Sequence, residues 1–353
     1  MKKLFINSFI SVMLLLAGQG MISDGIMAQE ADSTFYVFLG IGQSNMQGKA
    51  PIESKDKIST SDFTDADWAR YKKMIIVDSN PSKVGTWATA KPPIVRPDTQ
   101  LGVTDYFGRY LVKGLDERYK IGVVVVAVDG CSVKAFSKNK TVCSNYLNDS
   151  GTGAWVTEAA AQYGNYPYGK LLEMAKKAQQ SGVIKGIIYH QGETDVTGAS
   201  DSQGKEWLSK VYELYTNLIE DLNLSIDDVP FIAGEPVQSS EGGACGSAAT
   251  WVDKIPAYFK EKSGKNIAYV VSSVGCPKIS TDVYHFSSEG YRKMGTRYGE
   301  KMLPLLLAQG AISSSVIPIE EKKTDVIYDL LGRKLSAPQK GINIINGKKV
   351  VIK

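Results

Sequence analysis

Six apolar runs recur along the chain: Phe35–Ile41, Met74–Val77, Ile121–Val128, Val183–Tyr189, Val229–Ala233 and Ile267–Val271. A strand with one wet face alternates apolar and polar residues. An uninterrupted stretch such as Val123-Val124-Val125-Val126 instead predicts a strand covered on both faces, as in a parallel sheet. Between the runs the period lengthens to that of a helix. Across Tyr168–Ser181, residues Leu171, Leu172, Met174, Ala175 and Ala178 share one face, and Gly182 supplies a stop. Glu206–Leu222 repeats the pattern with Val211, Leu214, Leu218 and Leu222. Ser288–Ala308 does so with Tyr291, Met294, Tyr298, Met302, Leu305 and Leu306. Strand–helix alternation over this span predicts one doubly wound α/β domain, a parallel sheet between two helical layers.

The pattern breaks at both ends. Met1-Lys2-Lys3, the apolar run Leu4–Ala17 and small or polar residues up to Ala28 make residues 1–28 a signal peptide cut after Ala28, or further upstream near Gly20. About 14 apolar residues are few for a bilayer span, so the expectation is an exported protein without a membrane span. After Gln309, Ser313-Ser314-Ser315 and Glu320-Glu321-Lys322-Lys323 read as a linker, 309–324. Residues 325–353 then read as a small β-module, with Asn346-Gly347 as a hairpin signal. The domain itself is 29–308.

Composition narrows the field. The 353 residues carry 41 Lys+Arg against 37 Asp+Glu, a net charge of +4, which is too weak to suggest nucleic-acid binding. Export favours disulfides, and four cysteines allow three pairings. The preferred one joins Cys131 to Cys143 and Cys245 to Cys276. With only two histidines, histidine chemistry falls to His190 or His285, and a three-histidine zinc site is excluded.

Ligands of open parallel sheets bind beyond the carboxyl ends of the strands. Five predicted strand ends lead into Gly42-Gln43-Ser44-Asn45-Met46, Asp129-Gly130-Cys131, His190-Gln191-Gly192-Glu193, Gly234-Glu235 and Asp282-Val283-Tyr284-His285-Phe286. A serine becomes a nucleophile when a base sits beside it and a carboxylate orients the base. Ser44 between strand and helix, with Asp282 and His285 three apart, supplies those types. Met46 rules out a G-x-S-x-G elbow. His190, at a strand end, reads as a brace, and Asp195 as a solvated loop carboxylate. Glu235 reads equally as a buried acid or a site wall, and Trp155 reads first as packing, its Gly-rich loop also offering a surface for a sugar to stack on.

Four motifs in order, G-Q-S-N-M at 42–46, A-V-x-G-C at 127–131, H-Q-G-E at 190–193 and D-x-x-H-F-S at 282–287, resemble the SGNH hydrolases. The branch they resemble is the sialate O-acetylesterase-like one, which includes the family-six carbohydrate esterases. The resemblance implies a flavodoxin-like three-layer α/β/α fold and hydrolysis of acetyl esters on an oligo- or polysaccharide, acetylxylan or sialate in type, with no metal or other cofactor. It implies Ser44 as nucleophile, His285 as base and Asp282 as its orienting acid, with Glu193 as rival or helper. It also implies an oxyanion hole of the Ser44 and Gly130 N–H groups and the Gln191 side-chain amide. Asp129 stands where the family has a glycine. A carboxylate there opposes an oxyanion, which leaves open a sugar-binding protein with decayed catalysis or an altered substrate contact. Other SGNH branches act on lipid or thioester substrates. The tail, Tyr328-Asp329-Leu330-Leu331-Gly332-Arg333 and Gly341–Lys353, resembles C-terminal modules that direct proteins of certain Gram-negative bacteria to surface-sorting machinery, though Asn343 departs from that pattern.

Overall fold

Alternate side chains of the first strand, β1 (Asp32–Gly42), enter opposite layers of core. Phe35, Val37, Leu39 and Ile41 join one buried cluster, and Tyr36 and Phe38 join the other. The period-2 geometry of a strand requires this when both faces are covered. The computed structural model describes residues 30–314, with 327–328, 334–335, 340–345 and 348–352 of the tail. Residues 1–28, read above as a signal peptide, and most of 309–324, read as a linker, lie outside the described residues.

After β1 the chain forms α1 (Ser44–Gln47), α2 (Asp65–Arg70), β2 (Tyr71–Met74), β3 (Trp87–Thr89), α3 (Val103–Gly114) and β4 (Lys120–Ala127). Next come α4 (Lys140–Leu147), α5 (Ala154–Ala161), α6 (Pro167–Gln179), β5 (Gly182–His190), α7 (Glu193–Val196) and α8 (Asp201–Asp221). The domain closes with β6 (Phe231–Gly234), α9 (Ala249–Val252), α10 (Ile255–Ser263), β7 (Ala268–Val271) and α11 (Ser288–Ala308). The sheet order is β3-β2-β4-β1-β5-β6-β7, parallel throughout except for the edge pair β2–β3. Without that edge pair, β1, β4, β5, β6 and β7 stand in the order 2-1-3-4-5, the flavodoxin-like arrangement with its switch point beside β1.

Helices α6 and α8 bury Leu171, Met174, Val211 and Leu214 on one face of the sheet. Helices α3 and α11 bury Phe107, Leu111, Met294 and Met302 on the other. Each such side chain contributes about 1.5–3 kcal/mol by leaving water. Helix α11 reaches α3 closely because Gly295 has no side chain there: a Cβ would sit 2.4 Å from the Val103 carbonyl oxygen. No helix among the described residues is long and apolar enough to cross a membrane.

Two differences from the sequence reading stand out. The second strand is Tyr71–Met74 rather than Met74–Val77, because the half-buried Lys72 and Lys73 hide it from an apolar-run criterion. Lys73 turns its ammonium onto the carbonyls of Lys91 and Pro93. The second difference is chemical. The preferred disulfides do not form: all four cysteines are free. The Cys143 thiol, on α4, donates to the Ala135 carbonyl at 3.3 Å instead of meeting Cys131. Cys276 is buried in the core layer of α3 and α11, whereas Cys245 lines a surface cavity.

In the tail, β8 (Ile327–Tyr328), β9 (Lys334–Leu335), β10 (Gly341–Ile345) and β11 (Lys348–Ile352) make an antiparallel sheet of order β11-β10-β8-β9. The β10–β11 register closes with Ile345 opposite Lys348, as the Asn-Gly signal predicts, although those two turn residues lie outside the described ones.

Thiol titration of the protein, denatured without reductant, should find all four cysteines reactive. Two or none would restore one or both of the disulfides expected from export.

Candidate active site

Gly42, the last residue of β1, stands in register with Ala127 at the end of β4 and His190 at the end of β5. A Cβ on Gly42 would lie 2.1 Å from the His190 carbonyl oxygen, so only glycine allows this approach. The Val128 N–H donates to the Gly42 carbonyl at 3.0 Å, and the Gln43 N–H donates to that of His190 at 3.0 Å. Three loops therefore leave the sheet from one rung, at the topological switch point.

Ser44 opens α1 directly beyond that rung. Its backbone N–H has no partner among the described residues, as expected in the first turn of a helix, and neither has that of Gly130, whose φ is 62°. Both residues line one cavity of about 620 Å³, together with His285. The His285 Nδ1 is 2.5 Å from Asp282 Oδ2. Asp282 Oδ1 accepts the Tyr284 N–H at 2.7 Å and the His285 N–H at 3.3 Å. Burial pushes the Asp282 pKa up, but the His285 hydrogen bond and these N–H groups outweigh it and hold the carboxyl below its ordinary range. A charged Asp282 keeps the proton on Nδ1 and leaves Nε2 free as a base.

The residue that ties the loops together is Asn45, which sequence reading saw only as a motif letter. Its Nδ2 donates to Glu193 Oε1 at 2.9 Å and to the Tyr284 carbonyl at 3.1 Å. Its Oδ1 accepts the Phe286 N–H at 3.3 Å and the Tyr291 hydroxyl at 2.9 Å. An amide three residues beyond a glycine strand end, able to donate and accept at once, was the available signal. Through it Glu193 is held in the site wall, while the imidazole of His285 is taken by Asp282. Burial raises the Glu193 pKa, with the Asn45 bond opposing.

His190 is a brace. The Tyr298 hydroxyl donates to the Tyr189 carbonyl at 2.7 Å, so His190 Nδ1, 3.1 Å away, must be the donor in their contact. Its Nε2 is buried without a hydrogen bond, 3.9 Å from Glu193 Oε1, and burial drives its pKa down to about 3. The ring stays neutral at ordinary pH.

Gln191 does not join the oxyanion donors. Its Nε2 donates to the Cys131 carbonyl at 3.1 Å and to Asp195 Oδ2 at 2.5 Å. Its Oε1 accepts the Tyr189 hydroxyl at 2.6 Å and Trp207 Nε1 at 2.9 Å. All four bonding positions of the amide are thus used inside the protein. Asp195 is correspondingly no solvated carboxylate, since it also accepts the Val133 N–H at 2.8 Å. Glu235 stands outside the cavity lining, where its Oε2 accepts Gln238 Nε2 at 2.7 Å, the Ser272 hydroxyl at 2.9 Å and the Ser273 N–H at 2.7 Å. Asp129 does line the cavity, but its carboxylate is paired with the ammonium of Lys49, just beyond α1. Trp155 lines the same wall and is 62% exposed.

A family model described as carbohydrate esterase, sialic acid-specific acetylesterase, matches residues 34–304, most of the chain. The chain belongs to this family. Among solved structures, the esterase is similar to a protein of Arabidopsis thaliana at 17% identity and a TM-score of 0.52, over 76% of this chain and 98% of the other. It is also similar to NanS at 14% identity and a TM-score of 0.51, over 79% of this chain and 99% of NanS. These likenesses speak for the fold: a mostly parallel seven-stranded sheet between helices. The esterase is thus a carboxylic ester hydrolase of carbohydrate type, and its family match spans all four strand-end motifs.

Replacing Asn45 by alanine removes four hydrogen bonds and strands buried partners on three segments of this esterase. The expected loss is about 3 kcal/mol or more of unfolding free energy, read by denaturant titration. A variant as stable as the parent would mean that Asn45 does not tie the loops.

Proposed function

We propose that this carbohydrate esterase is an exported serine esterase that removes O-acetyl groups from a glycan through an acetyl-serine at Ser44. The observation that carries the reading is the hydrogen-bonded Asp282–His285 pair beside the same cavity as Ser44 and two unpartnered N–H groups. His285 Nε2 takes the Ser44 hydroxyl proton as Oγ attacks the acetyl carbonyl. The oxyanion forms against the N–H groups of Ser44 and Gly130, each donor contributing about 3–4 kcal/mol. The proton then passes to the departing sugar oxygen. A water, deprotonated by His285, attacks the acetyl-serine, and acetate leaves as Ser44 recovers its proton. Asp282 is the orienting acid in this scheme, and Glu193 positions Asn45.

The Lys49 partner removes the main motive for reading Asp129 as a sign of decayed catalysis, because the carboxylate next to the oxyanion site is neutralised by an adjacent cation. The N-terminal pattern supports export, and the Tyr328–Arg333 and Gly341–Lys353 sequences support a surface-sorting address.

Acetate release from acetylated xylan, sialate and p-nitrophenyl acetate tests the reading. Ser44→Ala and His285→Ala should each lower kcat by at least about 1000-fold with the fold retained. Asp282→Asn should cost more than Glu193→Gln. Full activity of either alanine variant contradicts the mechanism, and the reverse order of the two acids moves the orienting role to Glu193.

A further inference from the structure

We infer that the sugar carrying the acetyl group is a neutral pyranose, seated between the aromatic rims Trp155 and Tyr284, rather than a carboxylated sugar such as a sialate. The inference rests on the esterase reading and adds the chemical class of its substrate.

The first observation is charge. Among the described residues, no lysine or arginine lines the cavity that holds Ser44 and His285, whereas Asp129 and Glu193 do. The nearby Lys49 is already committed to Asp129. Asp282 stands directly behind His285. A sugar carboxylate brought here would lose hydration and meet no unpaired cation, with the charged Asp282 behind the imidazole it faces. Recognition of a carboxylate ordinarily rests on a guanidinium or ammonium. Sugar hydroxyls, in contrast, find neutral polar partners along the wall in Gln43, Thr152 and Thr194.

The second observation is the pair of exposed rings. Trp155 is 62% and Tyr284 53% exposed, although both line the cavity. The Trp155 indole rests over two glycines: a Cβ on Gly130 or on Gly153 would lie 2.5 Å from its atoms. The indole is thereby packed against backbone beside Gly130 while much of the ring stays open. Tyr284 is fixed through its backbone, by its N–H to Asp282 Oδ1 at 2.7 Å and its carbonyl to Asn45 Nδ2 at 3.1 Å. Its side chain has no hydrogen bond among the described residues and lies beside His285, ring centroids 6.3 Å apart. Two held but uncovered aromatic rings, one by the oxyanion donors and one by the base, match the apolar C–H faces of a pyranose whose ester sits between them.

The test compares kcat/KM on three acetyl esters: a mono-O-acetyl methyl glucoside, the glucuronoside with its acetyl group at the same position, and 9-O-acetyl-N-acetylneuraminate. The neutral ester should exceed both carboxylated ones by at least about tenfold at low salt, and the gap should narrow as salt is raised. Trp155→Ala and Tyr284→Ala should each raise KM for the neutral glycoside about five- to tenfold and change kcat far less. Carboxylated esters turned over as well as the neutral one, or a KM unmoved in both variants, would overturn the neutral-sugar inference alone. A parent enzyme that hydrolyses none of these esters, nor p-nitrophenyl acetate, would take the esterase reading down with it.

Discussion

The approach of β1 to β5 at Gly42 governs where the chemistry is assembled. With a Cβ there held off by the His190 carbonyl, the two strands could not close their last rung, and the loops beyond would leave the sheet apart from one another. Because they do close, Ser44, Gly130 and Glu193 issue from one point of the sheet. The fourth loop, Asp282–Phe286, has no strand to align it. It is drawn in by Asn45, whose amide reaches the Tyr284 carbonyl and the Phe286 N–H. A backbone constraint sets three parts of the site and one buried side chain adds the fourth.

Environment then divides the ionisable groups. Asp282, fed by N–H donors and by His285, is held charged, whereas Glu193 is pushed toward its neutral form by burial. His190 is kept neutral in the core, leaving His285 at the cavity. Separating like groups in this way lets one site hold a charged carboxylate directly beside an imidazole. The Asp129–Lys49 pair completes the balance, since it places a cation beside the one carboxylate that lines the cavity next to Gly130.

Much of this was legible in residue order. Val123–Val126 announced a strand buried on both faces, and helix α11 has the bounds its apolar stripe predicts, Ser288–Ala308. The strand-end rule collected Ser44, Gly130 and Glu193, whereas Asp282 and His285, expected at a strand end too, lie more than ten residues beyond β7 in a loop that no strand delivers. What escaped depended on partners distant in sequence. Gln191 has a side chain suited to an oxyanion, but Cys131, Tyr189, Asp195 and Trp207 occupy it. Glu235 likewise spends its carboxylate on the 272–273 turn. Helix α3 was hidden because buried Asp105 and Arg109 interrupt its apolar face. Cysteine count and export suggested bridges, yet Cys131, Cys143 and Cys276 behave as small buried hydrophobes.

In the proposed reaction Ser44 is the acyl acceptor. Rapid quenching of the enzyme with an excess of p-nitrophenyl acetate, followed by peptide mass spectrometry, tests this most directly. An acetyl group should accumulate on Ser44 in the burst and disappear on further incubation. An acetyl group carried turnover-competently on any other residue, or turnover with Ser44 never modified, would contradict it.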